Sequence, residues 1–104
     1  MSGIILVTTE SKPQAKKIAK TLVNMKLAAC VNITTPVTSI YFWENKIQES
    51  REYLLIIKTV KKNYKKIEIK IKELHSYKNP EIIFLSVDKG SKEYLDWIKK
   101  NSIS

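Results

Sequence analysis

Apolar and polar residues alternate along this chain with periods that predict both strands and helices. Residues 3–9 form an apolar, β-branched run that is too short for a helix, so we expect a buried strand there. Residues 11–23 follow a helical period, with apolar side chains on one face and lysines on the other. Ser11 is the expected N-cap and Pro13 suits the first turn, so helix one should begin here.

The middle of the chain predicts a long hairpin. Residues 28–43 are rich in Val, Ile, Thr and aromatic residues and should be extended. Pro36 should mark a bulge or an edge position, because proline cannot donate to a strand ladder. Residues 44–46 are the expected turn, with Asn45 best able to take a positive φ, and residues 47–59 form the return strand.

The last third of the chain completes a known order of elements. Residues 61–74 fit both the alternation of a strand and the period of a helix, but their length favours a helix, which leaves Ile69 facing away from the core. Residues 81–88 predict another buried strand, and Gly90-Ser91 should open a short terminal helix. The order β-α-β-β-α-β plus a final helix predicts an α+β, ferredoxin-like fold, with the helices on one face of a four-stranded antiparallel sheet. Residues 1–104 should form a single domain.

The predicted hairpin is too long for a compact monomer. A straight strand over residues 28–43 would span roughly 53 Å at ~3.3 Å per residue. A domain of this length has a diameter of only about 34 Å. A projecting hairpin would expose apolar residues 40–43, so we expect it to pack on another subunit.

Composition restricts the classes of function. The net charge is +9, carried by 18 lysines and only one arginine, which indicates a solvated surface, with nonspecific polyanion affinity as the alternative. One cysteine excludes an intramolecular disulfide, and one histidine excludes the common structural zinc sites. No apolar run is long enough to span a membrane, and the N-terminus shows no secretory signal. We therefore expect a cytoplasmic protein without a membrane partner.

Enzyme and RNA-binding motifs are missing. The sequence has no glycine-rich phosphate loop, Cys-x-x-Cys pair or nucleophile elbow, so we expect no enzyme. An RRM has the same order of elements, but its third strand carries base-stacking aromatics. Residues 51–57 hold only Tyr53 and no glycine, so we expect no specific nucleic-acid partner.

Five stretches in register resemble the CutA divalent-ion tolerance family over nearly the whole chain. They are LAACVNI (27–33), SIYFWENKI (39–47), LLIIKT (54–59), HSYKNPEI (75–82) and YLDWI (94–98). The resemblance implies a ferredoxin-like fold, a homotrimer built partly through the long hairpin, and an association with copper or other divalent metals. The sequence departs from the family pattern at Ser76, which frees a rigid turn, and at Lys78, which adds a positive charge.

The residues suggest a mixed ligand set for a metal between subunits. Cys30 is a candidate soft ligand, with a buried hydrophobic role as the alternative. His75 is either a ligand or a cap at the end of the second helix. Two ligands are too few, so a neighbour should supply Glu44, Glu49 or Glu81, a set that copper(II) would accept.

A second candidate site is a cleft for a small anionic molecule, as in the PII signalling proteins, which the family's trimer resembles. Lys58, Tyr77 and Trp97 are its candidate residues, with lysine snorkelling as the plain alternative for Lys58. Tyr41 and Trp43 are assigned to the same cleft, although packing between subunits is the stronger explanation for these two residues. The expected function is that of a homotrimeric divalent-cation tolerance protein, and the alternative is a PII-like sensor of an anionic ligand.

Overall fold

The structure is a computed structural model, and it describes residues 1–103. Its strands are β1 (Ser2–Thr9), β2 (Cys30–Ile33), β3 (Val37–Trp43), β4 (Lys46–Val60) and β5 (Ile83–Ser86). Its helices are α1 (Lys12–Asn24), α2 (Tyr64–Leu74), which follows a 3₁₀ turn over Lys61–Asn63, and α3 (Lys92–Lys100). The ferredoxin-like α+β fold is confirmed, but the sheet has five strands rather than the predicted four, because residues 28–43 form two strands.

The sheet is antiparallel throughout, with the strand order β2-β4-β1-β5. In its centre Ile5 lies opposite Ile57 and Val7 opposite Leu55, so these four side chains point to the same side of the sheet. All four are fully buried. The central strands β1 and β4 therefore carry the core, while β2 and β5 form the two edges.

The long hairpin consists of β3 and the first half of β4, and it extends beyond the sheet. Residues 28–43 do not form one strand, because the extended conformation is interrupted between Ile33 and Val37, around Pro36. The break lets β2 stay in the sheet while β3 pairs only with the outer part of β4. The molecule measures 45 × 26 × 23 Å. Its long dimension fits the prediction that the hairpin projects beyond the rest of the domain.

The helices α1 and α2 form a layer on one face of the sheet, here called the helical layer. Ser11 caps α1 by accepting a hydrogen bond from the Gln14 N–H at 3.3 Å, as predicted. Ile69 is half exposed on the outer side of α2, which is also as predicted. The side chains that fill the space between the layer and the sheet are Ile5, Val7, Ala15, Ile18, Leu22, Leu55, Ile57, Ile67 and Ile71.

Helix α3 does not join this layer, so the expectation that all helices share one face is wrong for it. Ile98 packs with Ala29 and Val60 in a second, separate cluster. Lys58, which points away from the side of Ile57, reaches Tyr94 of α3. Side chains of β4 alternate between the two faces of the sheet, so the contact with Lys58 places α3 on the face opposite the helical layer. Helix α3 covers only one end of that face.

The rest of that opposite face is apolar and uncovered in the single chain, and we call it the open face. Its side chains come from β1, β4 and β5, and the pairs Leu6–Ile56 and Ile4–Leu85 are in direct register. The open face comprises Ile4, Leu6, Leu54, Ile56, Ile83 and Leu85, all partly or half exposed.

Candidate functional site

The residues predicted from the sequence lie in three separate regions of the molecule. One is the hairpin tip, one is the end of the open face beside α3, and one is the segment that follows α2. The hairpin region holds Tyr41, Trp43, Glu44 and Glu49. The end of the open face holds Cys30, Lys58 and Trp97. The segment that follows α2 holds His75, Tyr77 and Glu81.

His75 is a nearly buried residue at the C-cap of α2, and both of its ring nitrogens are hydrogen-bonded. Nε2 lies 2.7 Å from the Thr8 carbonyl oxygen, which can only accept, so Nε2 carries the proton. Nδ1 accepts a hydrogen bond from the Tyr77 N–H at 3.0 Å. The ring therefore ties the chain after α2 to strand β1, and a metal at either nitrogen would have to displace one of these hydrogen bonds.

Tyr77 connects this histidine to a carboxylate that the sequence did not reveal. Its hydroxyl donates to Glu52 Oε2 at 2.8 Å, and its ring lies 4.7 Å from the His75 ring. Glu52 is only 8% exposed. Burial and the hydrogen bond to Glu52 raise the pKa of Tyr77 well above its ordinary value. The phenol therefore keeps its proton and holds Glu52 in place.

Further carboxylates act on Tyr77 or on Glu52, and we call them together with Glu52 the carboxylate cluster, namely Glu10, Glu52 and Glu81. Glu10 adds to the raised pKa of Tyr77 and accepts a hydrogen bond from Ser76 Oγ at 3.0 Å. Partial burial, and then the charge of Glu52, raise the pKa of Glu81. The cluster is a local concentration of negative charge in a chain whose net charge is +9.

Sequence reasoning missed Glu10 and Glu52 because neither belongs to a local motif. Glu52 lies in β4 opposite Val37, where β4 leaves the main sheet, and Glu10 follows β1. Only the return of the chain after α2 brings both near Tyr77. The one sequence signal for Glu52 was a charged residue directly before the apolar run of β4.

Cys30 and His75 do not come together within one chain. Cys30 lies opposite Lys58 in the sheet, whereas Thr8, the partner of His75, lies opposite Leu54. Four residues along β4 separate the two positions, which is about 13 Å at ~3.3 Å per residue. Across residues 1–103, no three His, Cys, Asp or Glu side chains are grouped so as to hold a metal ion. A metal site with several protein ligands would thus need a second subunit.

Lys58 lies with Tyr94 and Trp97 at the end of the open face, and we call these three residues the aromatic cluster. Lys58 Nζ donates to the Tyr94 hydroxyl at 3.3 Å and lies 5.5 Å from the centre of that ring. The rings of Tyr94 and Trp97 are stacked, with centroids 5.6 Å apart. Among the described residues Lys58 makes no ion pair, although it is only partly exposed. Tyr94 was not predicted, because its position on the face of α3 toward Lys58 depends on how α3 packs.

The hairpin tip presents aromatic side chains to solvent. Phe42 and Trp43 are 69% and 60% exposed, and Tyr41 lies close enough to Tyr77 to contribute to its raised pKa. Glu44 and Asn45 form the two-residue turn, with φ values of 52° and 63°. The positive φ predicted for Asn45 is confirmed. Glu44 thus lies at the far end of the hairpin, beyond the last strand pair Trp43–Lys46.

No helix within residues 1–103 combines the length and the apolar character that crossing a membrane would require.

Fold and site together define a small α+β sandwich with a projecting aromatic hairpin and an uncovered apolar face. Residues 3–101 match the family model described as CutA1 divalent ion tolerance protein, and the chain belongs to this family. The divalent-cation tolerance protein CutA of Thermus thermophilus is 43% identical over 98% of this chain and 99% of its own length. CutA of Archaeoglobus fulgidus is 41% identical over 94% of this chain and 95% of its own.

Solved structures agree with this assignment. The T. thermophilus protein superposes with a TM-score of 0.95 at 43% identity, covering 98% of this chain and 99% of its own. The A. fulgidus protein, described as a periplasmic divalent cation tolerance protein, has a TM-score of 0.95 at 39% identity, with 98% and 99% covered. CutA1 from Oryza sativa gives 0.94 at 39% identity, with 97% and 93% covered. The resemblance seen in the sequence is therefore confirmed.

Proposed function

We propose that this chain acts as a homotrimer that binds a divalent cation, copper(II) or a similar ion, between subunits. The observation that carries the proposal is the local negative charge of the carboxylate cluster, in which Glu10 and Glu52 act on Tyr77 and Glu52 acts on Glu81. A chain with a net charge of +9 repels cations, so a cation site has to be locally acidic. Partial burial, and after it the negative charge of Glu52, raise the pKa of Glu81, and a bound cation would offset the effect of Glu52.

The arrangement supports a site shared by subunits rather than one within a chain. The open face exposes a continuous apolar surface, which is typical of a surface buried on association. The hairpin carries Glu44 and Glu49 away from their own sheet, which supports their use as ligands by a neighbouring subunit. Closed symmetry would repeat such a site in every subunit. Cys30 and His75 of different subunits are further candidate ligands, His75 at the cost of one hydrogen bond.

The proposal assigns no catalytic step to the protein. Family membership connects the chain to divalent-cation tolerance, and copper is the ion that mixed oxygen, nitrogen and sulfur ligands suit. We further propose a cytoplasmic location, which the single free cysteine, Cys30, fits. Cell fractionation tests that location against a periplasmic one, the description given to the A. fulgidus relative.

Native mass spectrometry with one molar equivalent of copper(II), and in parallel zinc(II), tests the metal site. We expect a trimer that takes up three ions and a Glu81→Gln variant whose affinity is about tenfold lower. Glu93→Gln, a charge removed from exposed α3, is the matched control and should bind as the unmodified chain does. A trimer that takes up no ion, or an equal loss in both variants, would refute the proposed site.

A second candidate function, an anion-binding site like that of PII proteins, is favoured by the aromatic cluster. A partly buried lysine without a carboxylate partner attracts an anion, and the stacked rings of Tyr94 and Trp97 offer a flat apolar surface. A planar molecule with an anionic group fits both features.

Tryptophan fluorescence titrated with ATP, in a Trp43→Phe background that leaves Trp97 as the reporter, tests this function. We expect saturable quenching that Lys58→Gln abolishes and that Lys61→Gln, an exposed lysine on the 3₁₀ turn, leaves intact. Quenching that persists in Lys58→Gln would show that the lysine does not hold the anion.

A further inference from the structure

Positive charge is concentrated on the helical layer. Helix α1 contains four lysines and no acidic residue, and the 3₁₀ turn with α2 contains six lysines and two glutamates. These two segments therefore hold eight of the nine net positive charges of the chain. The sheet, the hairpin and α3 together are almost neutral. The net charge is thus a property of one face of the molecule.

The lysines of α1 are not arranged to stabilise their own helix. Lys12, Lys16 and Lys20, here called the lysine row, follow one another at i, i+4 spacing, and like charges at that spacing repel. The first turn holds no acidic residue, although the N-terminal end of a helix dipole favours negative charge. All three side chains are exposed. The ion pairs found within residues 1–103 use lysines of α2 and α3 and none of α1.

We infer that the outer surface of the helical layer binds the phosphate backbone of nucleic acid without sequence preference. Successive lysines of the row are about 6 Å apart along the helix axis. One strand of a duplex carries a phosphate every ~3.4 Å of axis, so each step of the row spans roughly two phosphates. Lysine meets a phosphate as a point charge, and this is enough for binding that is independent of sequence.

The same surface lacks the groups that read bases. The single arginine, Arg51, lies in the hairpin rather than in the helical layer. The one aromatic residue of α1 and α2, Tyr64, packs edge-on against Phe84 at 6.1 Å, so its ring is used in the core. Base stacking and bidentate base contacts are therefore missing from this surface. The surface also lies opposite the sheet face that an RRM uses.

A nucleic-acid backbone fits this surface better than a lipid bilayer does. A helix that lies in a membrane surface inserts an apolar stripe between the lipids. Here the apolar stripes are buried in the core, with Ile18 and Leu22 of α1 and Ile67 and Ile71 of α2 fully covered. Among the larger apolar side chains of the two helices, only Val23 near the end of α1 and Ile69 in the middle of α2 are exposed. The lysines therefore present charge with little apolar surface to insert.

Fluorescence anisotropy of the full chain with a labelled mixed-sequence DNA duplex, at about 50 and 200 mM salt, tests the inference. We expect binding that weakens steeply with salt. The triple variant Lys12→Gln, Lys16→Gln, Lys20→Gln should bind at least about tenfold more weakly at low salt, and its salt slope should fall by about three. The matched control removes the same charge from exposed lysines elsewhere, in Lys89→Gln, Lys99→Gln, Lys100→Gln.

Several outcomes would overturn the inference. An equal loss in both triple variants would mean that net charge alone attracts the duplex. Tighter binding to phosphatidylserine vesicles than to DNA, lost in the lysine-row variant, would assign the surface to membranes instead. Absence of salt-dependent binding in the unmodified chain would also refute it. Thermal melting followed by circular dichroism verifies folding, and α1 should be no less stable in the variant because like-charge repulsion is removed.

Discussion

The polar residues that matter most in this molecule interact with one another where β4 leaves the main sheet. The neutral Tyr77 donates a hydrogen bond to Glu52, and the charge of Glu52 acts on Glu81. Burial penalises a charged carboxylate, and a second carboxylate nearby adds repulsion. Glu81 therefore holds its proton more tightly in the folded chain than in the unfolded chain. Such a group links stability to pH.

We predict that Glu81→Gln raises the free energy of unfolding at pH 7 and has no such effect below about pH 4. The ionised carboxylate destabilises the fold, so the stability that the protonated carboxyl group contributes is lost as the pH rises through the raised pKa of Glu81. Glutamine mimics the protonated form, so the variant keeps this stability. The gain should stay below about 1 kcal/mol because solvent screens the group. Urea unfolding at a fixed protein concentration measures it. Glu49→Gln, in the hairpin and outside the carboxylate cluster, should show no gain, and an equal gain there would contradict the prediction.

At the scale of single elements, the hairpin depends on its two-residue turn. Both turn residues have positive φ, 52° at Glu44 and 63° at Asn45, as the right-handed twist of paired strands requires. Asparagine tolerates this conformation, and glycine adopts it without steric cost. The turn is therefore a place where a backbone preference acts directly on stability.

We predict that Asn45→Gly stabilises the protein by up to about 1 kcal/mol and that Asn45→Ala destabilises it by about the same amount. A Cβ without a compensating local hydrogen bond is strained at this φ, which explains the opposite signs. The midpoint of chemical denaturation measures both variants. Identical midpoints for alanine and glycine would show that the turn backbone does not control the stability of the hairpin.

Several elements followed from sequence alone, whereas their boundaries and faces did not. The cap at Ser11 and the positive φ at Asn45 were predictable because both depend on neighbours within a few residues. The break around Pro36 split the expected strand of residues 28–43 into β2 and β3. The position of α3 on the opposite face depends on contacts with Val60 and Ala29, which are far away in sequence.

On the scale of the whole molecule, the two faces of the sheet differ in what covers them. One face is covered by the helical layer, whose outer surface is basic. The other face is apolar and open, apart from the end that α3 covers. Apolar residues at this density are commonly buried between subunits. The apolar surface proposed for association and most of the positive charge thus lie on opposite sides of the chain.

We predict that Ile56→Glu, on the open face, converts the proposed trimer to a monomer, because an ionised carboxylate would have to be buried in an apolar interface. Size-exclusion chromatography with light scattering measures the mass. Ile69→Glu is the matched control, since Ile69 is half exposed on the outer side of α2 and the oligomer should survive there. Dissociation in both variants, or in neither, would show that the open face is not the interface.

The sequence by itself determined the order of elements, the family and the separation of core from surface, because these depend on periodicity and on interactions between near neighbours. Tertiary structure alone decided that Glu52, Tyr77 and His75 meet, that Lys58 lies beneath Tyr94, and that Cys30 and His75 stay apart. Each of these depends on strand register and helix placement. Strand register and helix placement are set by packing between residues that are distant in sequence, so a local sequence pattern does not specify them.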